Sequence, residues 1–246
     1  MYEKVKKIVK KIVPKSWVRG NTKTLRKIVA SFYTGSNYEC GICHFQMSRF
    51  ILLENGNKLC PKCGSLPRSR RLCSVMQSEV GIQNKAILHF SPPKSLSERI
   101  KKAGPLSYIS ADYSGEFPAS EKIDITSIDK SDESFDLIIC FHVLEHVLDD
   151  EQAMRELHRI TKKGGLCLIQ TPFKEGNTYE DASIILPEER RIHFGQEDHV
   201  RIYSVQDLMK KLIAAGFNVV ERIFEANEGN RMGFSNNETI LFAYKK

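Results

Sequence analysis

Short apolar runs alternate with amphipathic stretches along the C-terminal two-thirds of the chain. Leu137 to Phe141 is an apolar run too short for a helix and bounded by polar residues, which predicts a strand buried on both faces. A helix follows it. Asp149, Asp150 and Glu151 supply negative charge to the first turn, Ala153, Met154, Leu157 and Ile160 share one face, and Lys162 and Lys163 precede a stop at Gly164. Leu166 to Gln170 then completes a strand–helix–strand unit, whose strands should run parallel under a cover of helices. Ligands meet such sheets beyond the carboxyl ends of the strands, here at Phe141, His142, Thr171 and Pro172.

The same alternation extends in both directions. Ala86–Phe90, Tyr108–Ala111 and Ile123–Thr126 read as strands, and Ser91 before Pro92 and Pro93 reads as the N-cap of a helix ending at Gly104. Downstream, Ser204 and Asp207 form a capping pair ahead of Leu208, Leu212 and Ile213, Gly216 closes that helix, and 219–224 and 239–244 read as two last strands. Residues 173–203 form a long connection without periodicity, the kind that serves as a lid, and hold His193, Glu197, Asp198, His199 and Arg201. The pattern predicts an α/β domain over 76–246 with a substrate lid at 174–203.

The N-terminal third follows another logic. Val5, Ile8, Val9, Ile12 and Val13 lie on one helical face with lysines on the other, up to Pro14. Such a basic arm, taken as 1–34, can lie on an anionic membrane surface or dock on its own domain. Leu25, Ile28, Val29 and Phe32 predict another short helix. Two Cys-x-x-Cys pairs follow, Cys40/Cys43 and Cys60/Cys63, the second ending in Gly64. The spacing fits a four-thiolate zinc site with no open position, hence a structural ion within a module spanning 35–75; disulfides are the competing reading. Arg68, Arg70 and Arg71 come next, either as holders of a phosphate or carboxylate or as a solvated helix start.

Charge sharpens this division. Of 37 Lys and Arg and 30 Asp and Glu, ten basic residues and Glu3 alone fall in 1–27, so the rest carries 27 against 29. The basicity belongs to the arm, which weakens the case for a catalytic domain built around a polyanion. With 246 residues, 41% apolar and 27% charged, there is room for one α/β domain and a small appendage. No apolar run reaches membrane-spanning length and no signal-peptide core stands at the N-terminus, so a cytoplasmic protein with at most peripheral membrane contact is expected.

The order FDLIICFHVLEHV, helix, GGLCLIQTP resembles the fourth and fifth motifs of class I S-adenosylmethionine (SAM)-dependent methyltransferases, in the branch whose pattern ends in Leu-Glu-His, here Leu144-Glu145-His146. The resemblance runs from about Lys85 to the C-terminus. It implies a Rossmann-like, doubly wound sheet of seven strands with the last antiparallel, behind a zinc-ribbon-like module. It also implies a cofactor site at His89, Phe90, Ser91, Asp112, Asp124, Ile125, Phe141 and His142, with Asp112 on the ribose hydroxyls and Asp124 beside the adenine. One departure stands out: the first strand-to-helix turn, usually glycine-rich, is His89-Phe90-Ser91-Pro92-Pro93. The segment CPKCGSLPRSR further resembles a leader found in bacterial methyltransferases of surface-polysaccharide and small-molecule pathways.

Methyl transfer requires alignment of acceptor and methyl and, for a hydroxyl, removal of a proton. His142, His146 and His199 are the candidate bases, because an imidazole titrates near neutrality. The alternative for His146 is a helix-capping role, and Glu145 is expected to bond backbone amides. His193, Asp198, Arg201 and Arg68 are the candidate acceptor contacts. The expected function is O-methylation of a small molecule or a sugar of a cell-surface glycan or secondary pathway. The alternatives are a zinc-containing RNA methyltransferase and a non-catalytic module that has lost SAM.

Overall fold

The computed structural model describes residues 24–246, so the amphipathic arm expected over 1–14 lies outside the described residues. The described residues form two compact units: 24–81 with 93–102 and 224–238, and 82–92 with 103–223 and 239–246.

The first unit holds the cysteines. A helix over 24–31, α1, leads into β1 (Thr34–Glu39), which pairs antiparallel with β2 (Gln46–Met47); β3 (Ile51–Leu52) pairs antiparallel with β4 (Lys58–Leu59). Helix α2 (Pro67–Val75) starts with proline, whose missing N–H costs nothing there, and runs into a π-helical turn at Met76–Val80. Helix α3 (Lys94–Lys102) belongs to the same unit.

Arg70 and Arg71 on α2 are neither solvated nor open to a phosphate. Arg70 is fully buried: its guanidinium donates to the carbonyls of Met232 (2.6 Å), Ser65 (2.7 Å), Gly233 (2.7 Å) and Lys58 (2.9 Å), and it stacks on Phe50. Arg71 pairs with Glu238 at 3.0 Å, donates to the Glu225 carbonyl and lies 3.9 Å over the Phe234 ring. Two charged side chains that the sequence places on a helix start therefore fasten 224–238 to the cysteine region.

The second unit is built on a six-stranded sheet. Besides β5 (Ala86–Phe90), β6 (Ser107–Ala111), β7 (Phe135–Phe141) and β8 (Thr161–Gln170), it contains β11 (Asn218–Phe224) and β12 (Glu238–Tyr244), in the order β11-β12-β8-β7-β5-β6. Strands β6, β5, β7 and β8 are mutually parallel and β12 runs antiparallel to β8, so the sheet is mixed, as the apolar runs and the family pattern imply. Helix α4 (Asp150–Ile160) is capped by Asp149, whose side chain accepts from the Gln152 amide at 2.9 Å. Its Ala153, Met154, Leu157 and Ile160 join Leu88, Ile138, Cys140 and Ile169 in one buried core.

Three expectations need correction. Ile123–Thr126 is no strand: the Asp124 carboxylate accepts from the Thr126 amide (2.9 Å) and hydroxyl (2.7 Å), and this local turn takes the place of a ladder, leaving six strands instead of seven. Helix α4 stops at Ile160, not at Gly164, and β8 starts at once, with the Thr161 hydroxyl donating to the Leu157 carbonyl at 2.6 Å. Ser91 caps no helix: it sits at φ +44°, its hydroxyl turned toward Asp112, and α3 begins only at Lys94.

The connection over 173–203 is more ordered than its lack of periodicity predicts. It contains β9 (Tyr179–Glu180), which pairs antiparallel with β10 (Arg201–Ile202), and between them α5 (Pro187–Phe194), exposed along most of its length. Helix α6 (Val205–Ala214) follows, with Ser204 accepting from the Asp207 amide at 3.2 Å. Gly216 behind it takes φ +106°, and a Cβ there would lie 2.9 Å from the His158 ring. A Gly216→Ala variant is expected to lose about 2 kcal/mol or more, from the backbone conformation and the clash together, measurable by denaturant unfolding.

Candidate functional site

The cysteine unit brings all four predicted ligands together. The sulfurs of Cys40 and Cys63 are 3.6 Å apart and those of Cys43 and Cys60 are 3.8 Å apart, far beyond a disulfide bond and near the edge of about 3.8 Å expected for a tetrahedron of thiolates on zinc. Two matching knuckles create this spacing. The His44 amide donates to the Cys40 carbonyl (2.8 Å) and the Gly64 amide to the Cys60 carbonyl (2.9 Å), and both residues turn with positive φ, +54° and +75°. The Ser65 hydroxyl lies 3.2 Å from Cys40 Sγ and accepts from Cys63 Sγ at 3.3 Å. The remaining cysteines, Cys73, Cys140 and Cys167, are buried apart, and burial pushes their thiols up.

In the second unit the expected cofactor positions ring the carboxyl ends of β5, β6 and β7. Asp112, just past β6, is buried; it accepts from the Ser91 hydroxyl (2.9 Å), the Ser114 hydroxyl (3.1 Å) and the Phe117 amide (3.4 Å), which fixes the carboxylate and leaves part of its acceptor capacity free. The Ser91 amide is spent on the Ala111 carbonyl at 2.7 Å and the prolines have none, so this turn presents no backbone donors to a ligand. Phe90 packs into the core with Leu88. His89 points to the other face, where it bonds the Tyr108 hydroxyl at 3.1 Å; burial pushes its pKa down to about 3, so it is a neutral structural imidazole. Ile125 is buried, Asp124 is committed to its own turn, and Phe141 and His142 stay partly open at the end of β7.

The three candidate bases converge. His142 turns out of β7 at φ +56°, its amide bonded to the Gln170 carbonyl (2.8 Å), and its Nδ1 approaches Glu145 Oε1 at 3.2 Å. A short helical turn at Leu144–His146 then carries Glu145 and His146. His146 Nδ1 is 3.1 Å from Asp198, and its ring meets the His199 ring edge-on with centroids 4.6 Å apart. Burial pushes the Glu145 carboxyl up, but His142 and His146 pull it down further, and the balance lies below the ordinary value. Burial holds His199 below its usual value against the opposing charge of Glu145.

Glu145 does not bond the backbone amides expected of it. Both of its buried oxygens lack a well-aligned partner, as do Gln170 Oε1, Thr171 Oγ1 and His199 Nε2, making five of the seven such side-chain atoms among the described residues. All five belong to the segments at the carboxyl ends of β7 and β8 or to His199 beside them. Unsatisfied buried polar atoms gathered at one sheet end are what a polar ligand site leaves when its ligand is not counted, and with Asp112 they suit a nucleoside cofactor. Sequence reasoning missed Gln170 and Glu145 as open groups, because a single strand-end amide or a Leu-Glu-His glutamate carries no mark of lacking a partner.

Other candidates lie elsewhere. Arg201 is fully buried, and its guanidinium donates to the carbonyls of Leu144, Val147 and Leu148 and to Glu180 at 2.6 Å. It braces the Leu-Glu-His turn. His193 sits exposed on α5 against the Tyr179 hydroxyl at 2.7 Å, and Arg68 lies on α2 in the cysteine unit.

A model described as a methyltransferase domain matches residues 71–222, more than half of the chain. No curated protein matches the sequence. Solved structures share the fold: a SAM-dependent methyltransferase from Archaeoglobus fulgidus (15% identity, 72% of this chain and 92% of that one, TM-score 0.53) and one from Mesorhizobium loti (15% identity, 70% and 95%, TM-score 0.52). The [4+2]-cyclase SpnF does so as well (13% identity, 80% and 85%, TM-score 0.50), so this fold alone does not name a reaction. The family match does so: the chain belongs to the methyltransferase-domain family and is a class I SAM-dependent methyltransferase, an enzyme and not a bare binding module.

Proposed function

We propose that the enzyme methylates a hydroxyl oxygen of a small molecule or sugar from a cell-surface glycan or secondary pathway, and that a zinc ion on Cys40, Cys43, Cys60 and Cys63 serves only to stabilise the cysteine unit. The observation that carries the acceptor assignment is the meeting of His142, Glu145, His146 and His199 at the strand ends, a set of groups able to orient a hydroxyl and take its proton. SAM supplies an electrophilic methyl group. Asp112 holds the ribose hydroxyls, Ser91 keeps that carboxylate aligned, Asp124 and Ile125 border the adenine, and Phe141 and His142 face the reacting end. Residues 174–203, with Asp198 and His193, cover the acceptor.

Of the features that favour an RNA acceptor, the basic arm with Arg68, Arg70 and Arg71, two are removed, since Arg70 and Arg71 spend their donors inside the cysteine unit. Calorimetry with SAM and its demethylated product is expected to show one site per chain. Asp112→Ala should weaken it by about 10- to 100-fold, the loss of charge-assisted hydrogen bonds. No binding by the unaltered chain would remove the cofactor assignment. RNA retention at low salt that falls steeply as salt rises would replace the small acceptor by RNA.

A further inference from the structure

The Leu-Glu-His turn and the segment over 199–201 are stitched together through the backbone. The Val200 amide donates to the Glu145 carbonyl at 2.9 Å, and Arg201 donates to the carbonyl of Leu144 in the turn and to those of Val147 and Leu148 just after it. Asp150 anchors the far side, accepting from the Tyr203 hydroxyl at 2.5 Å and from Lys211 at 2.8 Å. His199 is thereby held against residues more than fifty positions earlier in the chain. One ligand atom each from Glu145, His146 and His199 lies within 4.8 Å of the others, a spacing that small side-chain rotations bring to the about 3 Å found between ligands on one ion.

The tautomers favour a cation. His146 Nδ1 faces the Asp198 carboxylate at 3.1 Å and His199 Nδ1 faces the Phe194 carbonyl at 3.1 Å, so in each neutral ring the proton sits on Nδ1 and Nε2 presents a lone pair. An outer carboxylate or carbonyl fixing a ring in this way is how proteins prepare metal-binding imidazoles. His199 Nε2 is buried without a partner, and so are both oxygens of Glu145, a side chain only 1% exposed. His142 approaches one of those oxygens, but off the hydrogen-bond line. Two imidazoles and a carboxylate with ligand atoms within 4.8 Å of one another are satisfied together by a positive ion.

We propose that Glu145, His146 and His199 bind a divalent transition-metal ion, distinct from the zinc of the cysteine unit, with open positions that receive an oxygen of the methyl acceptor. Two imidazoles and one carboxylate select a first-row transition ion over magnesium or calcium, and three protein ligands leave room for exogenous oxygen. The ion's place at the acceptor rests on the hydroxyl-methylation assignment above, but its binding does not. His142 then remains the imidazole free to take the acceptor's proton.

The test is a Co2+ titration of the zinc-loaded full chain without SAM, followed by visible absorption and calorimetry. Nitrogen and oxygen ligation gives weak bands and thiolate ligation intense ones, so exchange into the cysteine cluster is separately visible. One nitrogen/oxygen-ligated Co2+ per chain is expected, weakened at least tenfold in Glu145→Gln and in His199→Gln. Asp198→Asn, at a side chain 64% exposed and hence safe for folding, should weaken it by about 10- to 100-fold. Asp112→Ala, impaired for SAM, should keep the Co2+ site, which separates failure of this proposal from failure of the cofactor site. No such Co2+ site, or one indifferent to these ligand substitutions, would overturn it.

Discussion

Replacing Cys60 by serine is expected to drop the zinc content from one ion per chain to well below one and to unfold the cysteine unit. The hairpins β1–β2 and β3–β4 are only a few residues long, so with the proposed zinc bound the four sulfurs within 4.8 Å of one another would be the cross-link that closes two separate knuckles. Structural zinc contributes on the order of 10 kcal/mol to small domains of this kind, more than a typical domain's whole stability. Metal analysis and hydrogen exchange on the full chain would follow both effects. Amides at Cys40, His44, Cys60 and Gly64 should lose protection in the variant and in chelator-treated wild type. A Cys60→Ser chain that keeps its zinc and its protection would refute a four-thiolate structural site.

Arg70→Met should cost about 3–5 kcal/mol, the range for removing one partner from a buried charged network. The guanidinium is shared by four carbonyls from three chain segments, 58, 65 and 232–233, and every one of those oxygens would be left in a site that water does not reach. Lysine should recover less than half of the loss. An ammonium on a flexible stem cannot reproduce a planar fork whose nitrogens point in different directions, nor stack on Phe50, whose ring centroid lies 4.4 Å from the guanidinium carbon. Denaturant unfolding read out by exchange at 58–66 and 230–235 would measure both variants. A loss under about 1 kcal/mol for Arg70→Met would mean that these carbonyls find other donors.

The order of elements was legible because burial imposes period. A strand covered on both faces must be largely apolar, as β5 is apart from His89 and β7 apart from Asp136, and a helix lying on a sheet must be apolar on one side, as α4 is. The cysteine knuckles were legible because four thiolates at that spacing have few other uses. What the sequence could not show were competitions settled locally or at long range. Asp124 prefers its own turn to a ladder, and Ser91 prefers Asp112 to a helix N-terminus. The weakly amphipathic α5 does not rise above the polarity of the connection that contains it.

By itself the sequence determined the α/β framework, the Leu-Glu-His family signature and the cysteine pairs, since each is written in neighbouring residues whose spacing repeats the geometry of a strand, a helix or a turn. Only the tertiary structure decided which polar side chains are spent and which are open. Arg201 looked like a ligand contact and Arg70 and Arg71 like ligand contacts or a solvated helix start, and all three proved to be internal fasteners, while Glu145 looked structural and proved to have buried oxygens without a hydrogen-bond partner. The physical reason is that a buried polar group is accounted for by what surrounds it in space. The groups that decide the matter here, Met232 for Arg70 and His199 for Glu145, stand more than fifty residues away along the chain.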